Sequence, residues 1–313
     1  MAINKFMQLA LKALSYPDID IRKTYQIQRT LQNIQLPEGL LHDRRWQDRD
    51  ISADGRRIPL RIYSPREDAG RGTLLFFHGG GWVTESVKTY HRVCYALANH
   101  TGCQVVSVEY RLAPEHPFPD GLHDCYAAAE ALFCGPEALG LDTGPITLVG
   151  DSAGGNLAAA VSLMARDKGE FSIPRQILIY PATYYDYSES SPFPSVMENG
   201  RDYLLTSKRM AEYVMLYKRD DKDLRNPYFA PLLAMDLSGQ PDTLLITAEF
   251  DPLRDEGEAY AQRLQSAGNR VEMVRIPDAL HGFLALGSGY VHVARTYELI
   301  TSFLDGNDDE SEG

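Results

Sequence analysis

One serine stands out by its neighbours. Gly150-Asp151-Ser152-Ala153-Gly154 sets a hydroxyl between small residues in the pattern G-x-S-x-G. The apolar run ITLVG precedes it, and a helical run, 153–168, follows. That order predicts a sharp strand-to-helix turn with Ser152 on its tip. The helix N-terminus then aims its amides at developing negative charge. A phosphate loop is the rival reading, but the Lys-Ser/Thr ending of such loops is missing.

A serine hydroxyl is a poor nucleophile at neutral pH. It needs a base within hydrogen-bond reach and a carboxylate to orient that base. If the chain order is serine, acid, histidine, only His281 and His292 of the eight histidines come late enough. His292 falls in YVHVARTYELITSFL, whose spacing predicts a helix-surface residue. His281 lies in IPDALHGF, a loop after a strand, and is the candidate base. Asp251, directly after TLLITAEF, is the candidate acid. Asp255 is expected to cap the following helix, Asp278 sits awkwardly close to His281, and Glu249 is expected to brace the loop.

The stretch LLFFHGGGWV holds three consecutive glycines. A plain tight turn explains one glycine well and three poorly. Bare amides at Gly79, Gly80 and Gly81, with that of Ala153, form a candidate oxyanion hole. Trp82, Asp151 and Tyr184 are the candidate substrate-binding residues. No metal-ligand cluster is visible, so no metal or cofactor is expected.

These residues need a scaffold. From Leu74 onward, short apolar runs (TLLFF, QVVSVEY, ITLVG, QILIY, TLLITAE, VEMVRI) alternate with helical stretches near 88–100, 120–133, 153–168, 256–267 and 291–304. This rhythm predicts an α/β fold with a mostly parallel central sheet flanked by helices. QDRDISA and RIPLRIY, around the turn DGR, read as a preceding strand pair. Residues 46–182 and 226–305 are assigned to this catalytic domain. The sixty or so residues between QILIY and TLLITAE exceed an ordinary crossover. They hold Tyr184, Tyr185, Tyr187, Phe193, Tyr203, Tyr213 and Tyr217. Residues 183–225 are therefore read as an inserted helical cap, joined by N-terminal helices within 1–45. Most of its aromatics are expected to form its own core.

The net charge of −12 argues against nucleic acid, which needs clustered Lys and Arg. The acidic end, 306–313, reads as a disordered tail. Gln8 and Lys12 interrupt the N-terminal apolar residues, against a signal peptide, and no run would span a bilayer. The four cysteines lack C-x-x-C or zinc spacing and read as reduced, mostly buried thiols of a cytoplasmic protein.

HGGGW at 78–82, GDSAGGN at 150–156, EFDPLRDEG at 249–257 and HGF at 281–283 occur in that order. With VEYRLAPEHPFP at 108–119, they make the chain resemble the hormone-sensitive-lipase family of α/β-hydrolases, in its bacterial carboxylesterase branch. The resemblance implies a Ser152–His281–Asp251 triad, with Gly80, Gly81 and Ala153 as oxyanion donors and His78 and Gly79 shaping the loop. It implies hydrolysis of short- to medium-chain acyl esters under a cap, and a homodimer by analogy. Arg111 and Glu115 read as a structural ion pair. An amidase on the same machinery, a non-catalytic ligand receptor and a true lipase are the alternatives.

Overall fold

A computed structural model describes residues 19–33, 45–67, 70–141 and 144–306. The expected N-terminal helices fall partly outside these residues, and the acidic tail beyond Gly306 falls wholly outside them. Within them, eight strands form one sheet in the order β1-β2-β4-β3-β5-β6-β7-β8. β1 (Trp46–Ala53) and β2 (Arg56–Tyr63) are an antiparallel hairpin. Its turn, Asp54-Gly55, has positive φ at both residues, which suits the twist of paired strands. β2 lies antiparallel to β4 (Gln104–Val108). From there β3 (Thr73–Phe77), β5 (Ile146–Asp151), β6 (Arg175–Ile179), β7 (Asp242–Phe250) and β8 (Val271–Leu280) run parallel.

The strands face both ways, as a sheet covered on two sides requires. Leu75, Phe77 and Leu148 pack into one apolar cluster, while Leu74, Phe76 and Val149 pack into the other. The first cluster takes in α3 (Asp120–Cys134), α4 (Ala153–Lys168) and α7 (Arg254–Ser266). The second takes in α2 (His91–Thr101) and α8 (Val291–Asp305). The five helices predicted between and after the strands thus form, with ends shifted by a few residues.

α4 is the innermost helix. From Ala153 to Ala165 all thirteen residues are buried. Its run of glycine and alanine lets the backbone approach the sheet closely. A Cβ at Gly154 would collide with the Phe77 carbonyl oxygen, and one at Gly150 with the Gly154 carbonyl oxygen.

The long excursion between β6 and β7 carries α5 (Pro194–Glu198) and α6 (Ser207–Tyr217). Thr206 caps α6 by accepting the Arg209 N–H (3.1 Å). α1 (Ile21–Asn33) attaches to α6: the Glu212 carboxylate accepts the Ile21 N–H (3.0 Å), and Arg209 Nη2 donates to the Ile19 carbonyl (2.8 Å). Tyr187, Tyr213 and Tyr217 are buried, as expected of an internal core. Tyr217 stacks flat on Trp82 (centroids 4.4 Å, planes 1° apart) and meets Phe118 and Phe229, so that core is continuous with the sheet's first face.

Candidate active site

The strand order reverses at β3 and β5, whose carboxyl ends lie side by side. Ligand crevices of open α/β sheets form at such a point. The glycine loop leaves β3 there, and Ser152 leaves β5. Ser152 has φ +54° and ψ −118°, a conformation rarely taken by a residue with a side chain. Its backbone is pinned on both sides. Its N–H donates to Ile179 O (2.9 Å), and its C=O accepts from Asn156 (3.0 Å) and Ala182 (3.2 Å).

His281 projects from the end of β8, next to Gly282 in the left-handed region (φ +77°). Its Nε2 lies 2.9 Å from Ser152 Oγ, and its Nδ1 lies 2.7 Å from Asp251 Oδ2. Asp251 is fully buried, and its other oxygen accepts the Leu253 N–H (2.8 Å). A carboxylate acceptor fixes the proton on Nδ1 and leaves Nε2 free to take the serine proton. Glu249, still in β7, accepts the Asp278 N–H (2.7 Å) and so braces the end of β8 that leads into His281.

The amides of Gly80, Gly81 and Ala153 make no hydrogen bond among the described residues. Gly80 and Gly81 have φ of +109° and +61°. A Cβ at Gly81 would enter the Tyr213 ring. Gly79 differs from its neighbours. Its N–H donates to Asp151 Oδ1 (2.9 Å), so it is committed and is not a free oxyanion donor. Asp151 is likewise no pocket residue. It is buried, and its second oxygen accepts the hydroxyls of Tyr90 (2.9 Å) and Tyr180 (3.3 Å). Burial raises its carboxyl to about 6, against those hydrogen bonds and the nearby His281.

Trp82, too, differs from the expectation. It is buried against Tyr217, and its indole N–H donates to Asn156 Oδ1 (3.3 Å), which suits a tether better than a substrate contact. Tyr184 packs on Tyr185 and Phe193. His292 belongs to a helix, as expected, but is buried against Phe283 and Tyr290 rather than on the surface. Asp255 does not cap its helix; it accepts the Ser195 N–H (2.7 Å) and pairs with Arg254. Arg111 pairs with Asp124 (2.7 Å) and Asp120, whereas Glu115 pairs with Arg29 (3.0 Å).

Three further residues support the site, two of them, Glu256 and Asn156, given no role by the sequence. Glu256 Oε1 accepts the Thr183 and Tyr184 amides (2.7 and 3.1 Å) and the Tyr187 hydroxyl (3.0 Å). Asn156 Nδ2 donates to the Ala182 and Phe229 carbonyls (2.8 and 2.9 Å). His78 is fully buried under the Tyr110 ring (4.3 Å), and burial lowers it to about 4. All three lie inside the motifs, His78 in HGGGW, Asn156 in GDSAGGN and Glu256 in EFDPLRDEG, but motif membership does not reveal these contacts.

Residues 74–285 match a family model described as the alpha/beta hydrolase fold. The chain belongs to the hormone-sensitive-lipase family of α/β-hydrolases. An arylesterase of Saccharolobus solfataricus is 38% identical over 287 residues, 90% of this chain and 91% of the relative. An ethyl acetate hydrolase of Pseudomonas putida is 38% identical over 240 residues, 75% and 74% of the two chains. The solved structure of a hyperthermophilic esterase from the archaeon Pyrobaculum calidifontis superposes with a TM-score of 0.84 at 36% identity, covering 98% of this chain and 99% of that one.

Proposed function

We propose that the chain is a serine carboxylesterase acting on short- to medium-chain acyl esters through an acyl-enzyme. It is a carboxylic ester hydrolase, as its relatives are. The observation that carries the finer reading is the unbroken relay Ser152–His281–Asp251 beside the free amides of Gly80, Gly81 and Ala153.

In the proposed cycle Ser152 Oγ attacks the ester carbonyl as its proton passes to His281 Nε2. The carbonyl oxygen becomes an oxyanion held by the three amides. Collapse breaks the acyl–oxygen bond, and His281 returns its proton to the leaving alcohol. Water then attacks the acyl-serine, His281 takes and gives back a proton, and the carboxylic acid leaves. Asp251 keeps the imidazole in one tautomer and stabilises its charged form. Each oxyanion donor is worth roughly 2.7–4 kcal/mol in such sites.

Residues 46–182 and 226–305 would form the catalytic domain. The 183–225 segment with α1 would form the cap, a reading supported by Tyr213 lying on Gly81. Tyr184 stays the proposed cap contact to substrate. Free thiols at Cys94, Cys103, Cys125 and Cys134 favour a reducing, cytoplasmic setting. Among the described residues, no helix is long and apolar enough to cross a membrane. β1 and β8 are the edges of the sheet, and the proposed homodimer would pair through one of them.

The test is a rate profile on 4-nitrophenyl esters of increasing acyl length, run beside Ser152→Ala. A peak at short to medium chains that vanishes in the variant is expected. Turnover that survives in the variant would sink the assignment.

A further inference from the structure

Within eight positions after β3, four residues have positive φ: Gly80 (109°), Gly81 (61°), Trp82 (61°) and Glu85 (69°). Trp82 and Glu85 carry side chains, and such backbone persists only where its surroundings over-determine it. Part of that surrounding is local, the Gly80 carbonyl accepting from the Val83 N–H, the Thr84 N–H and the Thr84 hydroxyl, and part comes from one residue of α1. Arg29 donates Nε–H to the Val83 carbonyl and Nη2–H to the Ala113 carbonyl, both at 2.7 Å. Its Nη1 donates to both oxygens of Glu115 (3.1 and 3.0 Å). The Ala113 N–H in turn donates to the Trp82 carbonyl (2.9 Å). The guanidinium therefore closes a ring: loop 82–83, loop 113–115 and α1 share one planar fork. One helical turn along, Gln32 Nε2 donates to the Glu85 carboxylate, which tightens the same junction.

We infer that Arg29 is a positioning residue for the oxyanion hole, holding Gly80 and Gly81 at their working height through Val83 and the 113–115 loop. The inference rests on the reading of those two amides as oxyanion donors. Their value depends on aim. Displacement by about 1 Å can cost on the order of 10²-fold in rate. The charge they face exists only after attack, so loosening them should lower kcat and leave KM nearly untouched. Only a fork of fixed donors spans two carbonyls and a carboxylate at once; a lysine ammonium, a point charge on a flexible stem, does not reproduce it. α1 thus contributes to catalysis from outside the sheet, without touching the reacting atoms.

The experiment compares wild type, Arg29→Ala, Arg29→Lys and Ser152→Ala on 4-nitrophenyl butyrate, with thermal unfolding of each. Arg29→Ala is expected to lose roughly 10- to 100-fold in kcat with KM within about twofold. Millimolar guanidinium should restore part of the loss, and equal potassium chloride should not. If Arg29→Ala does not fold, Arg29→Lys serves in its place, with about a tenfold loss expected. A kcat within twofold of wild type in the folded variant would overturn the inference. So would a loss confined to KM, or a loss that guanidinium leaves unchanged. Wild-type turnover independent of Ser152 would overturn the site reading and this inference together; turnover that needs Ser152 but ignores Arg29 overturns this inference alone.

Discussion

Ser152, Asp251 and His281 leave the carboxyl ends of β5, β7 and β8, in one sheet. The glycine loop leaves β3 in the same sheet, yet most of what fixes its far side lies elsewhere. Gly81 lies under Tyr213, Trp82 under Tyr217, Val83 on Arg29 and Glu85 on Gln32. On the sheet side it is tied by Gly79 to Asp151 and by Trp82 to Asn156. The proposed relay is thus strand-borne and local, while the proposed oxyanion loop is clasped between the sheet and the helices α1 and α6. Acid, base and nucleophile gain their precision from paired strands. The amides gain theirs from a junction between two layers.

The largest expected effects fall on the strand-borne half. Ser152→Ala should reduce turnover roughly 10⁴- to 10⁶-fold, and Asp251→Asn roughly 10⁴-fold, with little change in the unfolding midpoint of the serine variant. Steady-state kinetics with thermal melts check both. A next, smaller effect tests the clasp. Gly81→Ala forces a methyl into the Tyr213 ring at φ +61°, and roughly a 10- to 100-fold drop in kcat is expected. Adding Tyr213→Ala should recover part of it, leaving the backbone strain of about 1–2 kcal/mol. A double variant no better than the single one would mean that α6 does not set the height of the loop.

Glu256 tests the excursion's root by pH. Burial, with the Asp251 charge adding to it, raises its carboxyl from 4.5 to about 8 despite three donors on one oxygen. A raised carboxyl pKa favours the protonated folded form. That contribution is fully present below 4.5 and is lost as pH rises through about 8. Glu256→Gln, which cannot ionise, should therefore gain stability relative to wild type between those two values, by on the order of 5 kcal/mol at most. Melts at closely spaced pH values check this; a constant offset would refute it. The smallest change is expected of Trp82→Phe. It keeps the stack on Tyr217 and removes one hydrogen bond to Asn156, about 1 kcal/mol of stability.

The strand-borne half was legible because its signals are local. Apolar runs, a serine between glycines and a histidine followed by glycine all sit within a few residues, and each strand end fixes where its side chain points. The clasp was not legible. Arg29 and Glu115 lie 86 positions apart, and nothing in YRLAPEHPFP says that the arginine within it turns to Asp124 instead. Gly79 and Asp151 lie 72 positions apart, so one glycine of three losing its amide to a carboxylate could be seen only in the folded chain. His292 has the spacing of a surface helix, but the first turn of α8 leans on Phe283, and spacing within one helix does not reveal that.

The burial of α4 has a further meaning on the time axis. Between Ala153 and Ala165 the helix has no wet face, so its hydrogen-bonded amides there are expected to exchange only with wide opening of the domain. Ser152 stands at the head of that helix. The serine is therefore anchored to a deeply buried helix, while the Gly80 and Gly81 amides hang from a loop that a single guanidinium helps to hold.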